Sequence, residues 1–234
     1  MFRLCLPAVA IAVALLPGSR AADNKPIEPF NRKDLTGWKL KDEKKNNWVV
    51  FWYVINPNKP TELIKQNVTP TDYPHLVNAK GGGSDIYTEE KFGDVVVELE
   101  FMVPKDSNSG IYLMGEYEVQ ILDSFGKPDD KLTQGDLGAL YSAAAPKKNV
   151  AKKPGEWQKF VIDFQAPKFV DGKKTENAKF LKVALNGEVL HENVELKQQT
   201  PGGLTGKEAA TGPLMFQGDH GPVAFRNIKI TPKK

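Results

Sequence analysis

Cysteine occurs once in these 234 residues, at Cys5. The remainder of the chain therefore has no internal disulfide, and its stability must come from core burial and backbone hydrogen bonds. Histidine is nearly as scarce, with only His75, His191 and His220. No two of them are close in sequence, which excludes the HExxH pattern, and calcium-loop spacings are missing as well. Phosphate loops, dinucleotide fingerprints and the nucleophile elbow are also absent. Charge of one sign is lacking: 32 Lys and Arg oppose 29 Asp and Glu, a formal net charge of +3. The lysines are scattered rather than gathered with aromatics into a stripe, so nucleic acid is not an expected partner. No stretch of ten or more residues carries a 3.6-residue apolar period, so helix is not expected to build the core.

One long apolar run exists, Leu4 to Leu16, preceded by Arg3 and followed by Pro17-Gly18-Ser19-Arg20-Ala21. It is shorter than the roughly 20 apolar residues of a membrane span, and small residues precede a cut after Ala21. Residues 1–21 therefore read as a secretory signal peptide carrying Cys5. A linker over 22–29 and one domain over 30–234 follow, with no membrane span expected in the mature chain. A cysteine-free exported domain suits a secreted or periplasmic setting.

What is present is β pattern. Phe30, Leu35 and Trp38 read as anchors of the amino terminus. Trp48 to Ile55 is a dense β-forming run closed by the turn chemistry of Asn56-Pro57-Asn58-Lys59-Pro60. A short strand is expected over Asp85 to Thr88, after the flexible Gly81-Gly82-Gly83. Val95, Val97, Leu99 and Phe101 alternate with Val96, Glu98 and Glu100, as a strand with one packed face requires. Phe160, Ile162 and Phe164 repeat that pattern, as do Leu181, Val183 and Leu185, which lead into the hairpin dipeptide Asn186-Gly187. Leu214 to Gln217 and Val223 to Ile230 are the last expected strands. About ten strands with little helix predict an all-β, jelly-roll sandwich of two antiparallel sheets.

The stretch Asn108 to Ser124 reads as two strands about a glycine turn. Tyr117, Val119 and Ile121 form its packed face, and Glu118 and Gln120 project together from the other, roughly 6.5 to 7 Å apart. Such groups are costly to bury unless they bind something, which points to a polar cleft on a sheet. Asp123 reaches that cleft only if the strand end twists, and otherwise caps a turn. A second polar cluster, Gln217-Gly218-Asp219-His220-Gly221-Pro222, places an imidazole, the side chain suited to proton transfer near neutrality, at a strand end. Arg226 alternates toward the face of Ala224 and Ile228, either as an ion pair or as a substrate anchor. Convergence of Glu118, Asp123 and His220 would offer a weak metal set. Glu118 with Asp123 or Asp136 would offer the two carboxyl groups of an ordinary glycosidase.

Several pieces together resemble the 3-keto-disaccharide hydrolase domain family, within the concanavalin A-like lectin and glucanase sandwiches. They are Phe30-Asn31-Arg32-Lys33-Asp34-Leu35-Thr36-Gly37-Trp38, Tyr87 to Asp94, Asn108 to Ser124, Gly138-Ala139-Leu140-Tyr141, Pro154-Gly155-Glu156-Trp157, Asn186-Gly187, and Gly218 to Val223 followed by Phe225-Arg226-Asn227-Ile228. The resemblance implies an exported protein cleaving glycosidic bonds in 3-keto-glycosides or related oxidised sugars. A ketone at the third sugar carbon acidifies the hydrogen on the second, so a base can expel the glycosidic oxygen from the first. On this resemblance Glu118 or His220 is the base, and Asp123 and Asp219 orient or donate. Arg226, Gln120 and Gln217 hold oxygens, and Tyr112 or Tyr141 meets the ring. A divalent cation is another way to stabilise the enolate. Relatives often carry arginine where this chain has Met114, a loss of positive charge from the expected cleft. The other function class is a non-catalytic carbohydrate-binding module, because the same sandwich hosts both.

Overall fold

A computed structural model describes residues 25–66 and 73–233. The expected leader over residues 1–21 lies outside the described residues. In chain order the strands are β1 (Trp38–Leu40), β2 (Trp48–Phe51), β3 (Tyr53–Asn56), β4 (Lys59–Lys65), β5 (His75–Asn78), β6 (Ile86–Phe92), β7 (Val95–Met102) and β8 (Asn108–Leu113). They continue as β9 (Tyr117–Leu122), β10 (Gln158–Gln165), β11 (Lys168–Val170), β12 (Lys173–Glu176), β13 (Ala178–Leu185), β14 (Glu188–Leu196), β15 (Gly212–Phe216) and β16 (Val223–Pro232). Helix among the described residues is confined to two single 3-10 turns, Glu43–Lys45 and Asp129–Lys131. None is long and apolar enough to cross a membrane.

Two antiparallel sheets form a jelly-roll type β-sandwich. One has five strands in the order β1-β6-β15-β8-β9, and the other seven in the order β14-β13-β10-β7-β16-β5-β2. Strict alternation drives the packing: Val95, Val97, Leu99 and Phe101 of β7 turn inward, as do Phe160, Ile162 and Phe164 of β10. Across the interior Trp38, Phe216, Phe225 and Trp48 stack in sequence, with centroid separations of 5.5, 4.0 and 6.2 Å. Phe216 belongs to one sheet and Phe225 to the other, so this column ties the layers together. Each buried ring contributes roughly 1.5–3 kcal/mol through lost water contact. Asn186 (φ 53°) and Gly187 (φ 89°) make the β13–β14 turn, both in the left-handed region that a two-residue hairpin of this kind needs.

The sandwich holds more strands than the alternation announced, for local reasons. The run from Trp48 to Ile55 divides at Trp52: β2 pairs with β5, while β3 leaves the sheet and pairs with β4. That hairpin lies over the outer face of the seven-stranded sheet, where Tyr53 and Leu63 pack with Val77, Met102 and Ala224. In β13 the inward residue is Phe180 rather than Leu181, with a register shift against β14 between Val183 and Ala184. In β16 a shift between Arg226 and Lys229, with Asn227 at φ 51°, reverses the faces, so Ile228 and Ile230 join the core while Ala224 and Arg226 stay outside.

Candidate active site

The site lies on the face of the five-stranded sheet that points away from the core. Ile111, Leu113, Tyr117, Val119 and Ile121 are committed to the interior, which forces their neighbours in β8 and β9 outward. The antiparallel register sets Tyr112 opposite Glu118 and Gly110 opposite Gln120. Gln217, just beyond β15, joins them by donating its backbone N–H to Gly110 O at 3.0 Å.

Glu118 is the centre of the arrangement. Its Oε2 accepts a 2.8 Å hydrogen bond from the Tyr112 hydroxyl, while its Oε1 is buried with no partner among the described residues. A Cβ on Gly110 would sit 2.2 Å from that Oε1, so the carboxylate occupies space that glycine vacates. Burial pushes Glu118 up to about 8; the Tyr112 hydrogen bond pulls downward, and the negative charges of Asp85 and Asp219 push upward again. Burial first, and then the Glu118 charge, hold the Tyr112 phenol above its usual range, so it remains a donor.

A rigid turn presents His220. Asn78 Nδ2 donates to Gly218 O at 2.9 Å and to Gly221 O at 3.0 Å, and the Gly218 N–H donates to Asp85 Oδ1 at 3.0 Å. The glycine run packs directly beneath: Gly82 N–H reaches Asp219 O and Gly83 N–H reaches Gly218 O, both at 3.1 Å. A Cβ on Gly81 would lie 2.1 Å from His220 O, so close backbone approach is the physical use of that glycine. His220 Nδ1 lies 2.5 Å from Asp219 Oδ1, both side chains about half exposed. A carboxylate only accepts, so Nδ1 carries a proton, and in the neutral ring Nε2 is the acceptor.

Two further segments complete the walls. Thr200 Oγ1 accepts the Glu118 N–H at 2.9 Å, and the Tyr112 hydroxyl reaches Pro201 O at 3.3 Å. Buried Glu116 anchors the same loop by accepting from Thr205 N, Thr205 Oγ1 and Gly206 N at 2.8, 2.7 and 3.1 Å. Lys41 bridges this loop to the His220 turn, donating to Gly203 O at 3.3 Å and to Asp85 Oδ2 at 3.2 Å. On the other side Tyr141 N–H donates to Glu118 O at 3.2 Å, and Gly138 and Ala139 exchange backbone bonds with Gln120. Asn108, Tyr112, Glu118, Gln120, Tyr141 and Gln217 thus surround a hollow of about 160 Å³ with His220 and Pro201-Gly202. Gln217 Oε1 is, like Glu118 Oε1, buried and unpartnered among the described residues.

Of the side chains singled out from sequence, Tyr112, Glu118, Gln120, Tyr141, Gln217 and His220 share this hollow, and Asp219 stands behind the imidazole. Asp123 does not. It accepts from Asp106 N and Phe125 N, and so caps the turns at the strand end. Asp136 is bound to Lys127, Thr133 and Ser124 and provides no second carboxyl beside Glu118. Arg226 lies on the outer face of the other sheet, where its Nε donates to Glu100 Oε2 at 2.7 Å and its guanidinium stacks 4.1 Å from the Trp157 ring centroid. Met114 lines a separate hollow of about 350 Å³, so position 114 is not a wall of the Glu118 pocket. Among the described residues no group of three or more His, Cys, Asp and Glu could hold a metal ion, and Asp123, weighed as a partner of Glu118 and His220, is instead bound to Asp106 N and Phe125 N. Sequence reasoning missed Asp85, Asn108 and Lys41. Asn108 stood in a motif already in view, whereas nothing local marks Lys41 or Asp85 as partners 44 positions apart.

Comparison with known proteins agrees with this architecture. A family model described as the 3-keto-alpha-glucoside-1,2-lyase-like domain matches residues 25–231. A Bacteroides thetaiotaomicron protein named 3-keto-disaccharide hydrolase is 28% identical over 120 residues, which is 42% of this chain and 41% of that protein. The matched segment therefore spans well under half of that relative. A crystal structure from Parabacteroides distasonis, named as a candidate glycosyl hydrolase, superposes with a TM-score of 0.65 at 27% identity, covering 89% of this chain and 84% of that one. A second candidate glycosyl hydrolase from the same organism gives 0.59 at 19% identity, over 89% and 94%, and shares the fold.

Proposed function

Because the chain belongs to the 3-keto-alpha-glucoside-1,2-lyase-like domain family, whose relatives are carbohydrate-active, we propose that it cleaves the glycosidic bond of 3-keto-glycosides by elimination across C1 and C2. The observation that carries this reading is Glu118: a buried carboxyl pushed up to about 8, its Oε1 unpartnered among the described residues, in one hollow with an imidazole whose Nδ1 is held by Asp219. Below about pH 8 such a carboxyl keeps its proton and serves as an acid, while the free Nε2 serves as a base.

His220 Nε2 takes the C2 hydrogen that the neighbouring ketone acidifies. The electron pair of that C–H bond forms C1=C2, and the C1–O bond breaks. Glu118 delivers its proton to the departing oxygen, which leaves as an alcohol. Negative charge building on the C3 oxygen is met by donors, a role we assign to Gln120 Nε2, which a 3.1 Å bond to Asn108 Oδ1 orients, and to Tyr141, which lines the same hollow. Addition of water to the enone completes a net hydrolysis. The ordinary two-carboxyl route is less well served, because Asp123 and Asp136 are tied into turns. The leader reading of residues 1–21 adds an exported, secreted or periplasmic setting to the proposal.

The test is incubation with a 3-keto-glucoside and with its unoxidised counterpart, each deuterated at C2. Aglycone release from the keto sugar alone, slowed by the deuterium, is the expected outcome. Release from the ordinary glucoside without an isotope effect overturns the elimination. Saturable binding without product assigns the hollow to a carbohydrate-binding module instead.

A further inference from the structure

The hollow of about 160 Å³ beside Glu118 is walled on two sides. One side is closed by the loop at Pro201-Gly202, which Tyr112 and Glu116 tie down, and another by the segment carrying Tyr141. Past His220 lies a second hollow of about 570 Å³, and His220 is the residue that lines both.

This second hollow runs between the β3–β4 hairpin and the turn at residues 218–222. Its walls mix an apolar patch of Leu63, Ala79 and Pro222 with the polar ends of Glu62, Lys80, Lys105 and Asp106. That combination matches a sugar ring, which presents C–H surface on its faces and hydroxyls at its edge. Lys80 and Lys105 have no ion pair or side-chain hydrogen bond among the described residues, so their ammonium groups are available as donors. The partition between the hollows is stiff. Gly221 N–H donates to Asn108 O at 2.8 Å, Ser107 Oγ donates to Pro222 O at 2.6 Å, and a Cβ on Gly221 would lie 2.4 Å from Ser107 Oγ. The turn that carries the imidazole is thus held in place between the two hollows.

We propose that the hollow between the β3–β4 hairpin and the His220 turn is a second sugar subsite, taking the ring that departs when the first ring is cleaved beside Glu118. This assignment rests on the elimination reading above. It makes the protein selective for two-ring substrates, with Lys80 and Lys105 contacting hydroxyls of the departing ring.

The experiment compares wild type with the Lys80→Ala/Lys105→Ala double variant on a 3-keto-disaccharide and on methyl 3-keto-glucoside. The double variant is expected to lose tenfold or more in kcat/KM on the disaccharide and to stay within twofold on the methyl glycoside. Equal effects on both substrates, or on neither, overturn the subsite. In parallel, backbone amide shifts are followed by NMR during titration with the unoxidised disaccharide and with methyl glucoside. Shifts at residues 79–81 and 105–107 with the disaccharide alone support the subsite, and their absence overturns it. Wild type that turns over neither keto sugar defeats the elimination reading, and the titration then decides the subsite by itself.

Discussion

The Tyr112 hydroxyl donates to the Glu118 carboxylate at 2.8 Å across the β8–β9 hairpin, a cross-strand pair in which both side chains are buried. This bond opposes the burial that raises Glu118. With Tyr112→Phe the opposition disappears, and Glu118 holds its proton to higher pH. If protonated Glu118 is the acid, turnover falls as pH rises through its titration, near 8 in the wild type. The variant is expected to move this alkaline limb upward by about one unit, with a lower plateau rate, as measured from the pH dependence of kcat. An unmoved limb removes Glu118 from the titrating step.

The same burial has a consequence for stability. The folded state raises Glu118 from an ordinary 4.5 to about 8, so its contribution is fully present below 4.5 and is lost as pH rises through 8. At pH 9 the folded protein holds a buried carboxylate that the unfolded chain would hydrate, a penalty of a few kcal/mol. Glu118→Gln keeps the shape and the acceptor for Tyr112 but not the charge. It is expected to raise Tm by roughly 5–10 °C at pH 9, to leave it nearly unchanged at pH 4, and to lower turnover at least a hundredfold. Thermal unfolding at the two pH values checks this, and equal Tm shifts at both would show that charge is not the cause.

How far the site could be read in the sequence follows from the range of each interaction. Alternation along β9 made Glu118 and Gln120 outward partners, because the period of two is a local property of a strand. The glycine-rich neighbourhood of His220 likewise marked a turn at a strand end. Arg226 was open to two readings, and the ion pair prevailed because β16 belongs to the seven-stranded sheet; the bulge at Asn227 turns Ile228 and Ile230 off the Arg226 face, and alternation alone does not announce a bulge. Asp123 was open to either reading, and a capped turn prevailed once Asp106 and Phe125 supplied their N–H groups. The β3–β4 hairpin was hidden because Trp48 to Ile55 is β-forming throughout, and only its change of partner at Trp52 separates two strands. Lys41 and Asp85 meet through the fold, a relationship without a local signature.

Lys41 is expected to act on the chemistry from outside the hollow. Its ammonium neutralises Asp85, whose charge pushes Glu118 upward, and it also holds Gly203 O. Lys41→Met leaves the Asp85 carboxylate without its counter-ion, so the alkaline limb of kcat should move up, in the direction expected for Tyr112→Phe. Lys41→Arg should restore the wild-type limb, because the charge returns. A fall in rate with no movement of the limb, unrescued by arginine, would reduce Lys41 to a loop tether.

Arg226 and His220 should behave in opposite ways. Arg226 is a structural residue of the outer sheet face, stacked on Trp157 and paired with Glu100, the Arg226 and Glu100 side chains each about a quarter exposed. Replacing it with glutamine forfeits a cation–π contact and a partly screened ion pair, together about 1–2 kcal/mol, or roughly 2–8 °C in Tm. Arg226→Gln should nevertheless stay within twofold of wild type in kcat/KM, since Arg226 is not among the residues that line the Glu118 hollow. His220 is about half exposed, on a turn whose hydrogen bonds are made by its backbone and by its neighbours. His220→Asn should therefore change Tm by no more than about 2 °C while lowering kcat at least a hundredfold, because the base is gone. Activity lost at Arg226 with Tm preserved would return the arginine to the substrate and refute the placement of the reaction on the five-stranded face.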